Sequence, residues 1–250
     1  MEKFSLKGRT ALVTGARTGI GQAIAVGLAE AGADLVLLGH RDNMQETEMM
    51  VGRWERKCKT VIADLGNPDE AGGVAENILS NTTVDILVNN AGIIRREPAV
   101  DFSKENWNAV LNTNLHSLFH FTRPIAKQML GRKYGKIINI ASLLSFQGGI
   151  TVPSYTASKH AVAGLTKAWA NEWAAGGVQV NAIAPGYITT NNTKGLREDM
   201  ERNEAILSRI PAGRWGEASD IAGAAVFLAS GASDYVNGHI LVVDGGWLAR

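Results

Sequence analysis

Three side chains that together support acid–base chemistry lie close in the sequence: the hydroxyl of Ser142, the phenol of Tyr155 and the amine of Lys159. Because Pro153 can begin a helix, Tyr155 and Lys159 are predicted to lie one turn apart on the same helical face. An ammonium beside a phenol favours the phenolate and lowers the phenol pKa from its ordinary value of about 10. The pattern therefore indicates a general acid–base tyrosine, although Tyr-x-x-x-Lys alone also occurs on ordinary amphipathic helices.

The composition limits the class of protein to which the chain belongs. Its 250 residues suffice for one α/β domain, so a single domain spanning 1–250 is expected. The 25 basic and 24 acidic residues give a net charge of +1, which does not favour nucleic acid or a charged membrane surface as a partner. Cys58 is the only cysteine, which excludes an internal disulfide and fits a reducing compartment. No apolar run approaches the ~18 residues of a membrane span, so we expect a cytoplasmic protein with a small-molecule substrate.

Short apolar runs alternate with segments of helical periodicity along the whole chain. Buried strands are predicted at 10–13, 35–38, 60–63, 85–88, 136–140, 178–182 and 240–243, and the clearest helices near 68–80, 104–131, 153–175 and 217–230. Repeated strand–helix–strand units predict a Rossmann-type, doubly wound parallel sheet of about seven strands with helices on both faces.

A glycine-rich turn follows the first predicted strand. Gly15, Gly19 and Gly21 have the spacing G-x-x-x-G-x-G, which would allow a tight bend, close approach to a pyrophosphate and close packing of helix on strand. The following helix would direct its free N–H groups at the phosphates. The spacing differs from the common G-x-G-x-x-G fingerprint, so a tight connection without a ligand stays a second interpretation.

Polar or glycine-rich residues also follow the other predicted strands. These positions include Asp64, the segment 89–92, Ser142 and the segment 185–190. In a doubly wound sheet such residues meet at the carboxyl edge, where ligands bind. Each of them alone is equally well explained as a turn or cap, but together they predict a site.

In this order, these motifs resemble those of the short-chain dehydrogenase/reductase family over nearly the whole chain. The resemblance implies a nicotinamide dinucleotide on the first turn, and an oxidoreductase. It implies cofactor contacts from Gly15, Arg17, Thr18, Gly19, Ile20, Gly21, His40, Arg41, Asp64, Leu65, Asn90, Ala91, Gly92, Tyr155, Lys159, Pro185, Gly186, Ile188 and Thr190.

The same resemblance implies a role for each residue of the catalytic centre. Tyr155 would transfer the proton and Ser142 would hydrogen-bond the reacting oxygen. Lys159 would bind the nicotinamide ribose and lower the tyrosine pKa, and Asn114 would hold a water that extends the proton relay. Hydride transfer belongs to the cofactor, so no metal is required; the i, i+4 pair His116 and His120 is interpreted as ordinary helix histidines.

The residues after the second strand leave the choice between NAD and NADP open. Gly39 occupies the place where NAD-preferring relatives carry an acid, and the basic residues His40 and Arg41 follow it. These residues favour NADP without demanding it, because Arg17 in the glycine turn lies one position earlier than the arginine that usually reads the 2′-phosphate. Asp42 is adjacent, however, and resemblance to members acting on sugar acids favours NAD.

The substrate side has a more particular resemblance. The segments 89–97, 144–149, 190–193, 210–216 and 244–250 resemble those of family members that interconvert a secondary alcohol and a ketone on a deoxy sugar acid. A sugar acid needs a guanidinium for its carboxylate, for which Arg95, Arg96 and Arg214 are candidates, and polar partners for its hydroxyls, such as Asn191. A solvated surface role explains each arginine equally well. Substrate contacts are therefore expected from Arg95, Ser142, Tyr155 and Asn191.

Two rival functions stay open at this stage. A carbonyl reductase of the same family acting on another substrate, such as a 3-oxoacyl thioester, would use the same catalytic residues. A non-catalytic dinucleotide-binding module is disfavoured because Ser142, Tyr155, Lys159 and Asn114 are all present. The family resemblance also implies a homotetramer.

Overall fold

The computed structural model describes residues 2–250, which form one seven-stranded parallel sheet. The strands are β1 (Thr10–Thr14), β2 (Asp34–Gly39), β3 (Cys58–Ile62), β4 (Ile86–Asn89), β5 (Gly135–Ile140), β6 (Val178–Pro185) and β7 (Ile240–Val243). Their spatial order is β3-β2-β1-β4-β5-β6-β7. The seven predicted strands and the doubly wound architecture are confirmed, and the order reverses between β1 and β4.

Helices cover both faces of this sheet. They are α1 (Gly19–Glu30), α2 (Gln45–Gly52), α3 (Pro68–Leu79), α4 (Lys104–Leu111), α5 (Ser117–Arg132), α6 (Pro153–Trp173), α7 (Lys194–Glu198), α8 (Met200–Leu207) and α9 (Ser219–Ala229). Pro153 is at the first position of α6, as the sequence predicted. The helix predicted near 104–131 is α4 and α5 joined by a π-helical turn, Asn112–His116.

The strands alternate their side chains between two cores. Ala11 and Val13 face the core beneath α1 and α9, whereas Leu12 faces the core beneath α3, α5 and α6. Both faces of β1, β4 and β5 are therefore buried, which explains why these strands are continuous apolar runs in the sequence.

A chain of buried amides and hydroxyls interrupts the second core and fixes α6 against the sheet. The Asn89 side chain on β4 donates to Asn139 on β5 at 2.9 Å and also lies 2.9 Å from the Thr122 hydroxyl on α5. Asn139 in turn donates to the Thr166 hydroxyl on α6 at 2.9 Å. Because buried polar groups are costly unless paired, these contacts specify one arrangement of β4, β5, α5 and α6.

No helix within residues 2–250 is long and apolar enough to cross a membrane.

Candidate active site

A groove runs along the carboxyl edge of the sheet, centred on the reversal between β1 and β4. Its volume is about 570 Å³. The expected cofactor and substrate residues in its lining are Gly15, Arg17, Thr18, Gly19, Ile20, Gly21, His40, Asp64, Leu65, Asn90, Ala91, Gly92, Arg95, Tyr155, Lys159, Thr190 and Asn191. In open α/β sheets ligands bind at this reversal, and most of the residues proposed from sequence meet there.

The glycine turn is locked against the end of β4. The Asn90 amide donates to the carbonyl oxygens of Thr14 and Gly15, at 3.0 and 3.1 Å. Gly15 has φ = +65°, and a Cβ there would lie 2.9 Å from that amide nitrogen. A Cβ at Gly21 would collide with the Gly15 carbonyl oxygen and the same amide. Both glycines are therefore required by the turn, and Asn90 shapes the groove in addition to lining it.

The residues beside this turn fit the diphosphate of a dinucleotide. Helix α1 begins here, and its N-cap residue Thr18 makes no side-chain capping bond, so the first N–H groups stay available to an anion. Gly19 has φ = +60°, and a Cβ there would extend to 3.4 Å from Cγ2 of Thr190 on the opposite wall. A side chain at position 19 would narrow the groove where a diphosphate has to pass.

Tyr155 and Lys159 lie on the same face of α6, as predicted. The Lys159 Nζ is 5.4 Å from the centroid of the Tyr155 ring and donates to the Ile140 carbonyl at 2.6 Å. The Ser145 hydroxyl donates to the Lys159 carbonyl at 2.7 Å, which ties the turn after β5 to α6. The lysine is buried and the tyrosine partly exposed to the groove.

The expected lowering of the Tyr155 pKa is not what the polypeptide produces. Burial raises the pKa of the phenol above its ordinary value, while a hydrogen bond with Ser142 and the charge of Arg96 lower it without cancelling that increase. Burial also lowers the pKa of Lys159 to about 8. The prediction from i, i+4 spacing was wrong in net direction because it omitted desolvation.

Ser142 and Asn114 occupy supporting positions around the tyrosine. Ser142 caps the short helical turn after β5 by accepting a bond from the Leu144 N–H at 3.1 Å. Asn114, in the π-helical turn, accepts from the Ile93 N–H at 2.8 Å and donates to the Ile93 carbonyl at 2.9 Å. Its amide also lies 3.3 Å from the Ser158 hydroxyl. Asn114 therefore joins α4–α5, the segment after β4 and α6.

The two adjacent arginines after β4 have different surroundings. Arg95 is exposed and lines the groove, with Nη1 3.3 Å from the Ile94 carbonyl. Arg96 donates from Nη2 to the Asn192 carbonyl at 3.0 Å, and its charge acts on the Tyr155 phenol. Burial and the nearby charge of Arg202 lower the pKa of Arg96, and Tyr155 raises it. Arg202, on α8, was not identified from the sequence.

Other residues proposed from sequence lie outside the groove lining. Arg41 is in an exposed loop, and Arg214 forms a two-point ion pair with Asp220 at 2.7 and 3.1 Å. That pair occupies its guanidinium in the folded chain, so the structure gives no direct support for Arg214 as a carboxylate partner. Ile188 is buried, and its carbonyl accepts from the Thr193 hydroxyl at 2.7 Å.

Pro185 and Gly186 stand at the carboxyl end of β6, and they too are absent from the lining. A Cβ at Gly186 would approach Cα of Asp244 to 2.6 Å, so this glycine lets the two segments pass closely. For these residues, as for Ile188, the groove gives no direct support for a cofactor contact.

Several residues that line the groove were not identified from the sequence. They are Leu38, Ala63, Gly66, Ile93, Ala109, Thr113 and Ile140. Most of them adjoin a predicted strand end and were recognisable by position alone. Ala109 and Thr113 lie in and just after α4, where nothing in the sequence distinguishes a groove-facing residue from any other polar or small helix residue.

Comparison with known proteins agrees with this fold and site. A family model described as Enoyl-(Acyl carrier protein) reductase matches residues 15–248. A 2-dehydro-3-deoxy-D-gluconate 5-dehydrogenase of Bacillus subtilis (strain 168) is 63% identical over 249 residues, covering 100% of this chain and 98% of the relative.

Solved structures show the same similarity. A crystal structure of a candidate 2-deoxy-D-gluconate 3-dehydrogenase from Agrobacterium tumefaciens with bound NADP has a TM-score of 0.95 and 57% identity, covering 100% of both chains. A gluconate 5-dehydrogenase from Burkholderia cenocepacia J2315 in complex with NADP and tartrate has a TM-score of 0.94 and 39% identity, covering 100% of this chain and 98% of the other.

The chain therefore belongs to the short-chain dehydrogenase/reductase family. It is an NAD(P)-dependent oxidoreductase that acts on CH–OH groups.

Proposed function

We propose that this oxidoreductase interconverts a secondary alcohol and a ketone on a deoxy sugar acid of the 2-dehydro-3-deoxy-D-gluconate or 2-deoxy-D-gluconate type. The proposal is supported by the relatives of that name, which are 63%, 54% and 51% identical over the whole chain. It is also supported by the tartrate, a hydroxy acid, in the complex of the Burkholderia relative.

The observation that carries the proposal is positive charge beside Tyr155. The charge of Arg96 acts on the phenol, and Arg202 is close enough to Arg96 to lower its pKa. Among residues 2–250 neither guanidinium has an acidic partner within ion-pair distance. A carboxylate placed between them would relieve this repulsion and accept charge-assisted hydrogen bonds. We therefore assign the substrate carboxylate to Arg96, with Arg95 as the second candidate.

The proposed mechanism divides the reaction between chain and cofactor. A nicotinamide dinucleotide held at the glycine turn would supply the acceptor or donor for the hydride of the carbinol carbon. In the oxidation direction Tyr155, as phenolate, accepts the alcohol proton, and in reduction it returns that proton to the ketone oxygen. Ser142 orients the same oxygen, and Arg96 fixes the carboxylate end, so that the reacting carbon is held in one geometry. Lys159 supplies the charge that favours the phenolate, and Asn114 holds the water of the relay.

The test uses nicotinamide absorbance with a panel of hexonic and deoxyhexonic acids and their neutral sugars. We expect turnover of acids and little of the neutral sugars. In Arg96→Met, kcat/KM for the acid falls about 10- to 100-fold, the range expected for a lost charge-assisted bond, while the residual rate on a neutral analogue changes little. The exposed Arg53→Met variant controls for net charge. Equal losses on acid and neutral substrates would leave Arg96 a structural role only.

The description of the matching family model favours one second candidate, a reductase of acyl thioesters. That function would use the same tyrosine but would not need Arg96. Turnover of a 3-oxoacyl thioester, with no turnover of any acid in the panel, would replace the sugar-acid proposal.

We further propose that residues 1–250 act as one catalytic domain in a cytoplasmic homotetramer without nucleic-acid partners. Family membership supports the assembly, and exposed apolar side chains such as Val100 and Met49 are available for subunit contacts. Light scattering after gel filtration tests it: the expected mass is four times the chain mass of 26.7 kDa. A monomeric enzyme with full activity would contradict it.

A further inference from the structure

The segment between β4 and α4 carries both candidate carboxylate-binding arginines, although residues 90–98 have no regular secondary structure. Arg95 and Arg96 lie near the middle of this segment. A binding group is effective only if its position is fixed, since a misplacement of about 1 Å can cost about 10²-fold in rate. The contacts that fix this segment therefore affect how a substrate carboxylate is bound.

The segment is fixed on one side of the arginines by Asn114 and on the other by Glu97. The Asn114 amide bonds both backbone groups of Ile93, at 2.8 and 2.9 Å. The backbone N–H of Glu97 donates to the Thr151 carbonyl at 3.0 Å. Thr151 lies in the loop before α6 and has φ = +61°. Only residues 94–96 lie between these two fixed points, so the directions of both arginine side chains depend on them.

The Glu97 carboxylate also binds the N-terminus of α4. It accepts from the Ser103 N–H at 2.7 Å and from the Asn106 amide at 2.5 Å, and it lies 3.4 Å from the Ser103 hydroxyl. Ser103 is the N-cap of α4, and its hydroxyl accepts from the Asn106 N–H at 3.3 Å. In a capping box the acid that bonds the N-cap N–H is the third residue of the helix. Here that residue is Asn106, and Glu97 supplies the carboxylate from outside the helix.

Negative charge strengthens these bonds. The hydrogen bond from the Ser103 N–H, followed by the one from Asn106, lowers the pKa of Glu97 below its ordinary value. Glu97 is therefore a carboxylate at neutral pH, where its bonds are charge-assisted and the positive end of α4 favours it. Glu97 does not neutralise its neighbour, because within residues 2–250 it forms no ion pair with Arg96.

We propose that Glu97 is a positioning residue for the substrate carboxylate: it joins the segment after β4 to α4 and to the loop before α6, and thereby directs Arg96 towards Tyr155. In that position Arg96 donates to the carbonyl of Asn192, which lines the groove. Glu97 is not among the lining residues, so it acts through Arg96. This role rests on the proposed function, because it concerns the binding of an acid.

Kinetics of Glu97→Ala separate positioning from charge. Removal of a negative charge beside Arg96 would, by electrostatics alone, strengthen the binding of an acid and lower its KM. Loss of positioning should instead raise KM for the acid about 10-fold. The value of kcat should stay nearly unchanged, because the carboxylate is bound alike in substrate and transition state, and KM for a neutral analogue should change little. Glu105→Ala, which removes an exposed acid from the first turn of α4, should change neither KM.

A double-mutant cycle with Arg96→Met tests whether Glu97 acts through Arg96. Glu97→Ala should raise KM for the acid when Arg96 is present and have little further effect in the Arg96→Met background, since residues that act together are not additive. Equal fold-increases in both backgrounds would overturn the positioning role, as would a lowered KM in Glu97→Ala. Glu97→Gln keeps an oxygen that can accept from the Ser103 N–H, so its effect should be smaller. It replaces Glu97→Ala in the cycle if thermal melting shows that the alanine variant is unfolded.

Hydrogen exchange followed by mass spectrometry needs no substrate and therefore separates this role from the proposed function. In Glu97→Ala the backbone N–H groups of Ser103 and Asn106 should exchange about 10-fold faster, because both lose the contacts that hold this helix end. Unchanged exchange would overturn the anchoring by Glu97. If the unmodified chain turns over no acid of the panel, the proposed function and the substrate part of this role both fail, whereas faster exchange would still establish Glu97 as the anchor of the segment.

Discussion

The Tyr155 phenol carries the proposed proton transfer, and its removal gives the first prediction. Tyr155→Phe should lower kcat about 10²-fold or more, since general acid–base help is typically worth that much, and leave cofactor affinity near that of the unmodified chain. Tyr235→Phe, in a fully exposed loop position, is the matched control. Stopped-flow turnover with a separate cofactor titration measures both quantities, and a preserved kcat would remove Tyr155 from the mechanism.

The second prediction is that Lys159 sets the pH range of the proposed proton transfer. Burial lowers the pKa of its amine to about 8, so the ammonium persists below that pH. Because Nζ lies 5.4 Å from the centroid of the Tyr155 ring, we expect its charge to favour the phenolate. Lys159→Met removes this charge and raises the phenol pKa further. The rising limb of alcohol oxidation should therefore move to higher pH, and ketone reduction, which needs the protonated phenol, should extend to higher pH.

Profiles of kcat/KM against pH in both directions measure the shift. Lys167→Met, an exposed lysine two turns further along α6, controls for the loss of a charge from the same helix. Profiles that coincide for Lys159→Met and the unmodified chain would deny any coupling between the amine and the phenol.

At the scale of elements, close packing against α9 fixes the position of α1, the helix that begins at the groove. A Cβ at Gly27 in α1 would lie 2.9 Å from Cβ of Ala222 in α9, whereas a Cβ at Gly223 in α9 would meet no atom within 4 Å. Both glycines lie in helix interiors, where alanine is favoured by roughly 0.5–1 kcal/mol. Gly223→Ala should therefore raise the free energy of unfolding by about that amount.

Gly27→Ala should instead lower the free energy of unfolding, because overpacking costs about 1–3 kcal/mol and exceeds the gain in helix propensity. Urea denaturation of the two variants gives the comparison. If both variants are stabilised equally, α1 and α9 are not in the close contact that the structure gives them.

The burial of each element also explains which elements could be predicted from the sequence. The strands were predictable because burial on both faces leaves continuous apolar runs, and the start of α6 was predictable from Pro153. Helices α2, α7 and α8 were not predicted, because these segments are short and polar. Their apolar residues do not recur at a clear helical spacing. Arg202 lies on α8, so this side of the site could not be found either.

Contacts between residues that are far apart in the sequence could not be predicted either. Asn139 lies within an apolar strand pattern, and only the fold brings its side chain to Thr166. The direction of the Tyr155 pKa required burial, which spacing does not supply.

At the scale of the whole molecule, the groove joins the two halves of the sheet. One wall comes from β1, β2 and β3, with Asp64 after β3, and the other includes Thr190 after β6. A dinucleotide that spans both walls binds only the assembled sheet, so its binding free energy adds to the stability of the fold. A ligand confined to the adenosine half, such as 2′,5′-ADP, has fewer contacts to contribute.

The last prediction follows from this linkage. NADP at about 100 times its Kd should raise the free energy of unfolding by about 2.7 kcal/mol, and for a chain of this size Tm by about 5–10 °C. At equal concentration 2′,5′-ADP should give a smaller shift. Scanning calorimetry measures both. An unchanged Tm with either dinucleotide would mean that the groove does not bind the cofactor in the folded protein.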